Sequence, residues 1–188
     1  KADAGVLRRA RAANVPTLHL PSKGKSRVEF DAQLTEELER RGVDLILLVG
    51  YMRILSEQFC DAWANRVLNV HPSLLPEFAG GMDLAVHRAV LDARRTESGC
   101  TVHFVTKEVD AGPIVVQPRC PVFPDTDTPE TLKARVQALE NEALIQAVEK
   151  FNRGELVAVG SGGSASGGAS GDASSVSVSV SATSVSEP

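Results

Sequence analysis

With 188 residues and a net charge of −4, the chain is long enough for one domain with a substantial core and has no basic block of the kind that marks a nucleic-acid surface. No apolar run nears the length of a bilayer span, and the first residues resemble neither a signal nor a transit peptide. Cys60, Cys100 and Cys120 lie far apart without zinc-type spacing, so they read as reduced thiols of an intracellular protein and imply no metal.

In chain order, "ADAGVLRRARAANVP" predicts a helix closing on Asn14, with Pro16 beyond it. The short apolar "TLHL" (17–20) is a candidate strand. In "SRVEFDAQLTEELERRG", Ser26 takes the N-cap, Glu29 completes a capping box, Phe30, Leu34 and Leu38 share a face, and Gly42 is the stop. "VDLILLVG" (43–50) and "RVLNV" (66–70) are continuous apolar runs of the kind that form central parallel strands, with a short helix in "SEQFCDAWA" between them. A helix near 84–93 and strands in "TVHFV" and "PIVVQPRCPV" follow. Thr128 and Pro129 then open a long amphipathic helix with Leu132, Val136, Leu139, Ala143 and Val148 at helical spacing. Alternating helix and buried strand predicts an α/β domain over residues 1–158, its open, mostly parallel sheet flanked by helices. Residues 159–188 are mostly Gly, Ser, Ala and Val, too poor in apolar surface to offset their ordering entropy, and read as a disordered tail. Its "SVSVSVS" keeps strand period, a candidate for transient pairing with a sheet edge.

In open α/β sheets, ligands bind beyond the carboxyl ends of the strands. Asn69 and His71 stand at the carboxyl end of "RVLNV", "YMRIL" (51–55) follows "VDLILLVG", and Asp110 comes later in "VDAGP". An amide donates to a developing oxyanion, and an imidazolium does so more strongly. An aspartate holds that imidazolium charged or takes a proton from an attacking amine. Together these groups suit acyl transfer to nitrogen through a tetrahedral intermediate. No G-x-S-x-G elbow is present, which favours direct transfer over a covalent enzyme intermediate. Each residue also has a plainer reading, Asn69 and Asp110 as turn formers and His71 as an orienting histidine.

The pair "NVHPSLLP" and "GCTVHFVTKEVDAGPIVVQ" resembles the folate-dependent formyltransferase family, most closely its branch that formylates glycinamide ribonucleotide in purine synthesis. The likeness runs from about Lys1 to Leu156 and implies a Rossmann-like formyltransferase fold. It implies 10-formyltetrahydrofolate as co-substrate and small-molecule substrates as partners, with no metal; the interspersed charge and the lack of a long apolar run argue against nucleic-acid and membrane partners, and the oligomeric state stays open. Asn69 and His71 would stabilise the formyl oxyanion. Asp110 would fix the charge on His71 and relay the proton through water. Met52, Arg53, Ile54 and Leu55 would cradle the pterin, with Val109 and Asp110 on the loop closing over it. Arg27 would lie near the folate glutamate tail, and Glu140 would contact the glycinamide substrate. His103 matches a family histidine, His87 matches less well, and His19 is structural.

The family opens with a strand and a glycine- and serine-containing loop that grips the substrate phosphate at a helix start. By the resemblance, Lys1 falls just after the second strand, so the expectation is a domain truncated at its amino terminus, its sheet edge exposed. Alternatives are formyltetrahydrofolate hydrolase, disfavoured by Pro72 after His71, methionyl-tRNA formyltransferase, disfavoured by the lack of a basic surface, and a non-catalytic folate-binding module. The expected location is cytoplasmic. "PEFAGGMDLAVHRAV" resembles plant and cyanobacterial members, which admits a plastid if the source is a photosynthetic eukaryote.

Overall fold

The computed structural model describes residues 4–156; the expected tail at 159–188 lies outside the described residues. Two helices, α1 (Gly5–Ala12) and α2 (Arg27–Arg40), precede the first strand. The capping box on α2 forms as expected: Glu29 N–H donates to Ser26 Oγ at 3.2 Å, and Ser26 N–H donates to Glu29 Oε2 at 2.8 Å. Phe30, Leu34 and Leu38 are buried along one face. Ser26→Ala removes one of these acceptors and is expected to cost about 1 kcal/mol, read as a fall in the urea midpoint at unchanged slope.

The segment 17–20 is no strand in the structure: residues 15–22 have no regular secondary structure. A strand needs a ladder partner, and β1 (Ile46–Leu48) pairs on one edge only among the described residues. Next come α3 (Glu57–Ala62), β2 (Val67–His71), α4 (Leu84–Asp92), β3 (Glu97–Gly99) and β4 (Thr101–Phe104). The chain then forms β5 (Ile114–Val116), β6 (Arg119–Pro121) and α5 (Pro129–Asn152). The main sheet has the order β1-β2-β4-β5, and β3 and β6 form a separate pair.

The α/β class and the helical flanks are as expected, but the sheet is mixed rather than mostly parallel. β1 runs parallel to β2, while β4 is antiparallel to both β2 and β5. An apolar run reports that a strand is covered on both faces; it carries no record of which way its neighbours run. The run 113–122 also divides into two strands, because Pro118 has no N–H to donate to a ladder.

Helices cover both faces. On one side Phe30, Leu34, Phe59 and Trp63 pack with Ile46 and Val67. On the other Leu132, Val136, Ala143 and Ala147 of α5 pack with Leu68, Val102 and Phe104. Ala147 takes the fully buried position and Val148, expected there, is half-buried. Ala143 and Ala147 follow one another at four residues, and their small side chains let the helix lie close to the sheet. None of the described helices is long and apolar enough to cross a membrane.

The turn before α5 is held by Asp127, which accepts Arg135 Nη1 and Nη2, each at 2.8 Å, and Phe123 N–H at 2.9 Å. The Arg135 hydrogen bonds hold its carboxyl well below the usual carboxylate range. A depressed carboxyl stabilises the fold above its unfolded value, and that contribution is lost as pH falls through the folded value. Asp127→Asn is therefore expected to lower Tm at neutral pH, by a margin that shrinks below about pH 4.

Candidate active site

Alternate residues of a strand share a face. Asn69 and His71 therefore look the same way from β2, and register places His103 of β4 opposite Asn69 and Thr101 opposite His71. Leu68, Val102 and Phe104 point the other way, into the core against α5. One face of two paired strands thus carries the polar groups, and the other anchors the fold.

The hydrogen bonds assign a role to each group. His103 Nδ1–H donates to the Phe104 carbonyl at 2.9 Å, and burial pushes the imidazole below its usual range. With its hydrogen on Nδ1, His103 has Nε2 left to accept, and that nitrogen also lies 3.5 Å from Asp110 Oδ1. Asn69 Nδ2–H donates to that nitrogen at 3.3 Å, leaving the second amide N–H available. His71, only 4% exposed, has Nε2 at 3.0 Å from the Phe78 carbonyl and Nδ1 at 3.2 Å from Asp110 Oδ2. Both partners are acceptors, and only the imidazolium donates to the two at once.

Asp110 Oδ2 also accepts Gly80 N–H at 2.8 Å, which ties the loop after β4 to the turn after β2. Both loops hold non-glycine residues in the left-handed region: Phe78 (φ 59°), Asp83 (φ 51°) and Asp110 (φ 56°). Asp110 tolerates a positive φ and Phe78 resists it, so strain gathers beside the histidine.

These groups line a cleft of about 630 Å³. One flank is mainly apolar, formed by Met52, Arg53, Ile54 and Leu55 on one side and Val109 on the other. The opposite end is polar, with Lys133, Gln137 and Glu140 of α5 facing Gly80–Asp83 and His87. Burial raises the Glu140 carboxyl above its usual range, against the opposing charge of Lys133. The structure therefore brings together ten of the eleven expected site residues when His103 is counted. Arg27 is off the cleft wall: the first turn of α2 leaves it in solvent. It stands one turn from Phe30, over whose ring Arg53 lies at 4.7 Å.

Lys133, Gln137, Gly80 and the Phe78 carbonyl were not expected. Lys133, Gln137 and Glu140 fall at i, i+4 and i+7, a polar stripe beside the apolar one that the spacing could have revealed. A backbone carbonyl such as that of Phe78 leaves no sequence signal.

Residues 1–148 match the family described as formyl transferase. The chain is 41% identical over 157 residues to phosphoribosylglycinamide formyltransferase of Escherichia coli, covering 83% of this chain and 72% of that protein. It is 44% identical over 164 residues to the trifunctional purine biosynthetic protein adenosine-3 of Gallus gallus, covering 87% of this chain but only 16% of that protein. The fold superposes on glycinamide ribonucleotide transformylase 1 from Symbiobacterium toebii with a TM-score of 0.76 at 45% identity, covering 82% of this chain and 71% of that one. Sequence, fold and the arrangement on β2 and β4 agree: the chain belongs to the formyl transferase family.

Proposed function

We propose that the chain transfers the formyl group of 10-formyltetrahydrofolate to the amine of glycinamide ribonucleotide in purine synthesis. The observation that carries this reading is the meeting of Asn69, His71 and Asp110 on one wall of the cleft. The cleft suits two substrates. Its apolar flank of Met52, Ile54, Leu55 and Val109 matches a flat pterin, and Glu140 at the polar end matches a hydrogen-bond donor of the ribonucleotide.

Asn69 offers its remaining amide N–H to the formyl oxygen as the amine attacks and charge develops there. His71 offers Nε2–H to the same oxygen once its hydrogen bond to the Phe78 carbonyl breaks. The Phe78 turn must therefore shift for the transition state to form. Asp110 keeps His71 charged and, through water, accepts the proton released by the amine. The proton passes on to the departing donor nitrogen as the formyl carbon–nitrogen bond breaks. Arg27, exposed on the face that carries Phe30 and Arg53, is assigned to the glutamate tail outside the cleft. Small molecules are the only partners of this scheme, with a cytoplasmic location, or a plastid one in a photosynthetic eukaryote.

Donor consumption measured with and without glycinamide ribonucleotide tests the scheme. The expected result is consumption that depends on the ribonucleotide and yields formylglycinamide ribonucleotide. Equal consumption without it would mean transfer to water and a hydrolase.

A further inference from the structure

The apolar flank of the cleft is built on a segment with little of its own to hold it. Residues 51–55, between β1 and α3, lie in no helix or strand and take part in no backbone–backbone hydrogen bond among the described residues. Burial alternates along them: Met52 and Ile54 are exposed on the cleft wall, whereas Tyr51 and Arg53 are half-buried and Leu55 is buried. Two large apolar side chains are thus displayed by a loop whose backbone has no ladder to fix it.

The grip on this loop comes from α2. Phe30 lies under the Arg53 guanidinium at 4.7 Å and shares a core cluster with Leu55. Its neighbour Asp31, also buried, accepts the Ser56 N–H on Oδ2 at 2.6 Å, across 25 residues of chain. Ser56 is the N-cap of α3, and its Oγ already accepts the Phe59 N–H at 3.3 Å. In α2 and α5 the amide of the N-cap residue is taken up by the residue three positions on, Glu29 or Thr131. In α3 that position is Phe59, whose side chain has no acceptor, and a carboxylate from another helix takes the amide instead. Asp31 therefore fixes the point where the loop becomes helix. Its charge also reaches the other end of the loop: burial first, and then the Asp31 carboxylate, push the Tyr51 phenol up to about 12.

Asp31 Oδ1 has no hydrogen-bond partner among the described residues. A buried carboxylate with one oxygen unmatched is a costly way merely to seat a helix. Trp63 and Thr35 join α2 to the end of α3 without charge, Trp63 Nε1–H donating to Thr35 Oγ1 at 3.2 Å, and neither residue lines the cleft. We propose that Asp31 is a positioning residue for the formyl-donor flank: by holding the Ser56 amide, while Phe30 holds Arg53, it fixes residues 51–55 in the shape that presents Met52 and Ile54 to the pterin. The assignment rests on the formyl-transfer reading for the identity of that ligand. A loop fixed beforehand loses less freedom on binding, so the effect falls on donor affinity and not on the chemical step.

The probe is tetrahydrofolate, titrated calorimetrically into the full chain, with transfer kinetics and amide exchange of residues 51–56 read in parallel. Asp31→Ala is expected to weaken tetrahydrofolate and raise the donor KM about tenfold, the scale of one lost charge-assisted hydrogen bond. At saturating donor, kcat and the KM of the ribonucleotide are expected to stay unchanged. The Ser56 and loop amides of this variant are expected to exchange faster. Asp31→Asn, whose amide oxygen can still accept the Ser56 N–H, is expected to recover most of the affinity. Thr35→Val removes the uncharged tie and is expected to lower Tm while leaving tetrahydrofolate affinity and the loop amides as they were. Equal losses of affinity in Asp31→Ala and Thr35→Val would mean that the two helices need only be docked, and would overturn the proposal. Unchanged affinity in Asp31→Ala, or a loss seen only in kcat, would overturn it as well. If the unaltered chain binds no tetrahydrofolate, the donor reading fails and the amides decide the positioning. Faster exchange at 51–56 confined to Asp31→Ala would then support it, and equal exchange in all variants would overturn it.

Discussion

Asp110→Asn is expected to lower formyl-transfer turnover by about 10²–10⁴-fold, the range attributable to a positioned acid–base group, with the donor KM nearly unchanged. Asn adopts the left-handed backbone readily, so the φ of 56° at this position survives the exchange. An amide oxygen can still take the Gly80 N–H that Oδ2 accepts at 2.8 Å. What is lost is the negative charge 3.2 Å from His71 Nδ1. Without it, His71 Nδ1, in a side chain only 4% exposed, faces a neutral amide in place of a carboxylate. The fall should appear in kcat, because the charge is needed as the oxyanion develops. An increase in KM with kcat retained would instead assign Asp110 to substrate binding.

Gly112→Ala is expected to destabilise the fold by about 3 kcal/mol or more, or to prevent soluble expression. A Cβ on Gly112 would stand 1.8 Å from the Phe104 carbonyl oxygen and 2.8 Å from its carbon. Both are backbone atoms at the end of β4, so no side-chain rotation relieves the clash, and the loop carrying Asp110 must move away from the strand. At 2–4 °C per kcal/mol for a domain of this size, Tm should fall by roughly 6–12 °C. Gly5→Ala is the control: its Cβ would meet only Arg9 Nη1 at 3.5 Å, an ordinary contact. A drop in both variants would point to a general fragility, and a drop in neither would refute the close approach at Gly112.

Local chemistry was the most legible part of the fold. The Ser26–Glu29 box and the Thr128–Pro129 start of α5 rest on residues three or fewer apart, and both form as read. Pairing partners were not legible. The direction of β4 and the lack of a strand at 17–20 depend on which segments lie alongside, which an apolar run does not encode. β3, "ESG", has no strand signature of its own and is held by pairing Ser98 with Cys120. The site followed the same division. Asn69 and His71 at period two announced a shared face, and Asp110 joined them through the matching motif. The Phe78 carbonyl and the Gly80 amide, which hold the histidine and the aspartate, are backbone groups present at every residue and therefore invisible until the chain is folded.

The most direct measurement is formyl transfer from 10-formyltetrahydrofolate to glycinamide ribonucleotide by the chain, beside its His71→Ala variant at matched folded concentration. The account predicts transfer by the unaltered chain and a loss of at least about 10²-fold in the variant. Equal transfer by both, or transfer by neither in folded protein, would contradict the assignment of Asn69, His71 and Asp110 as the formyl-transfer site.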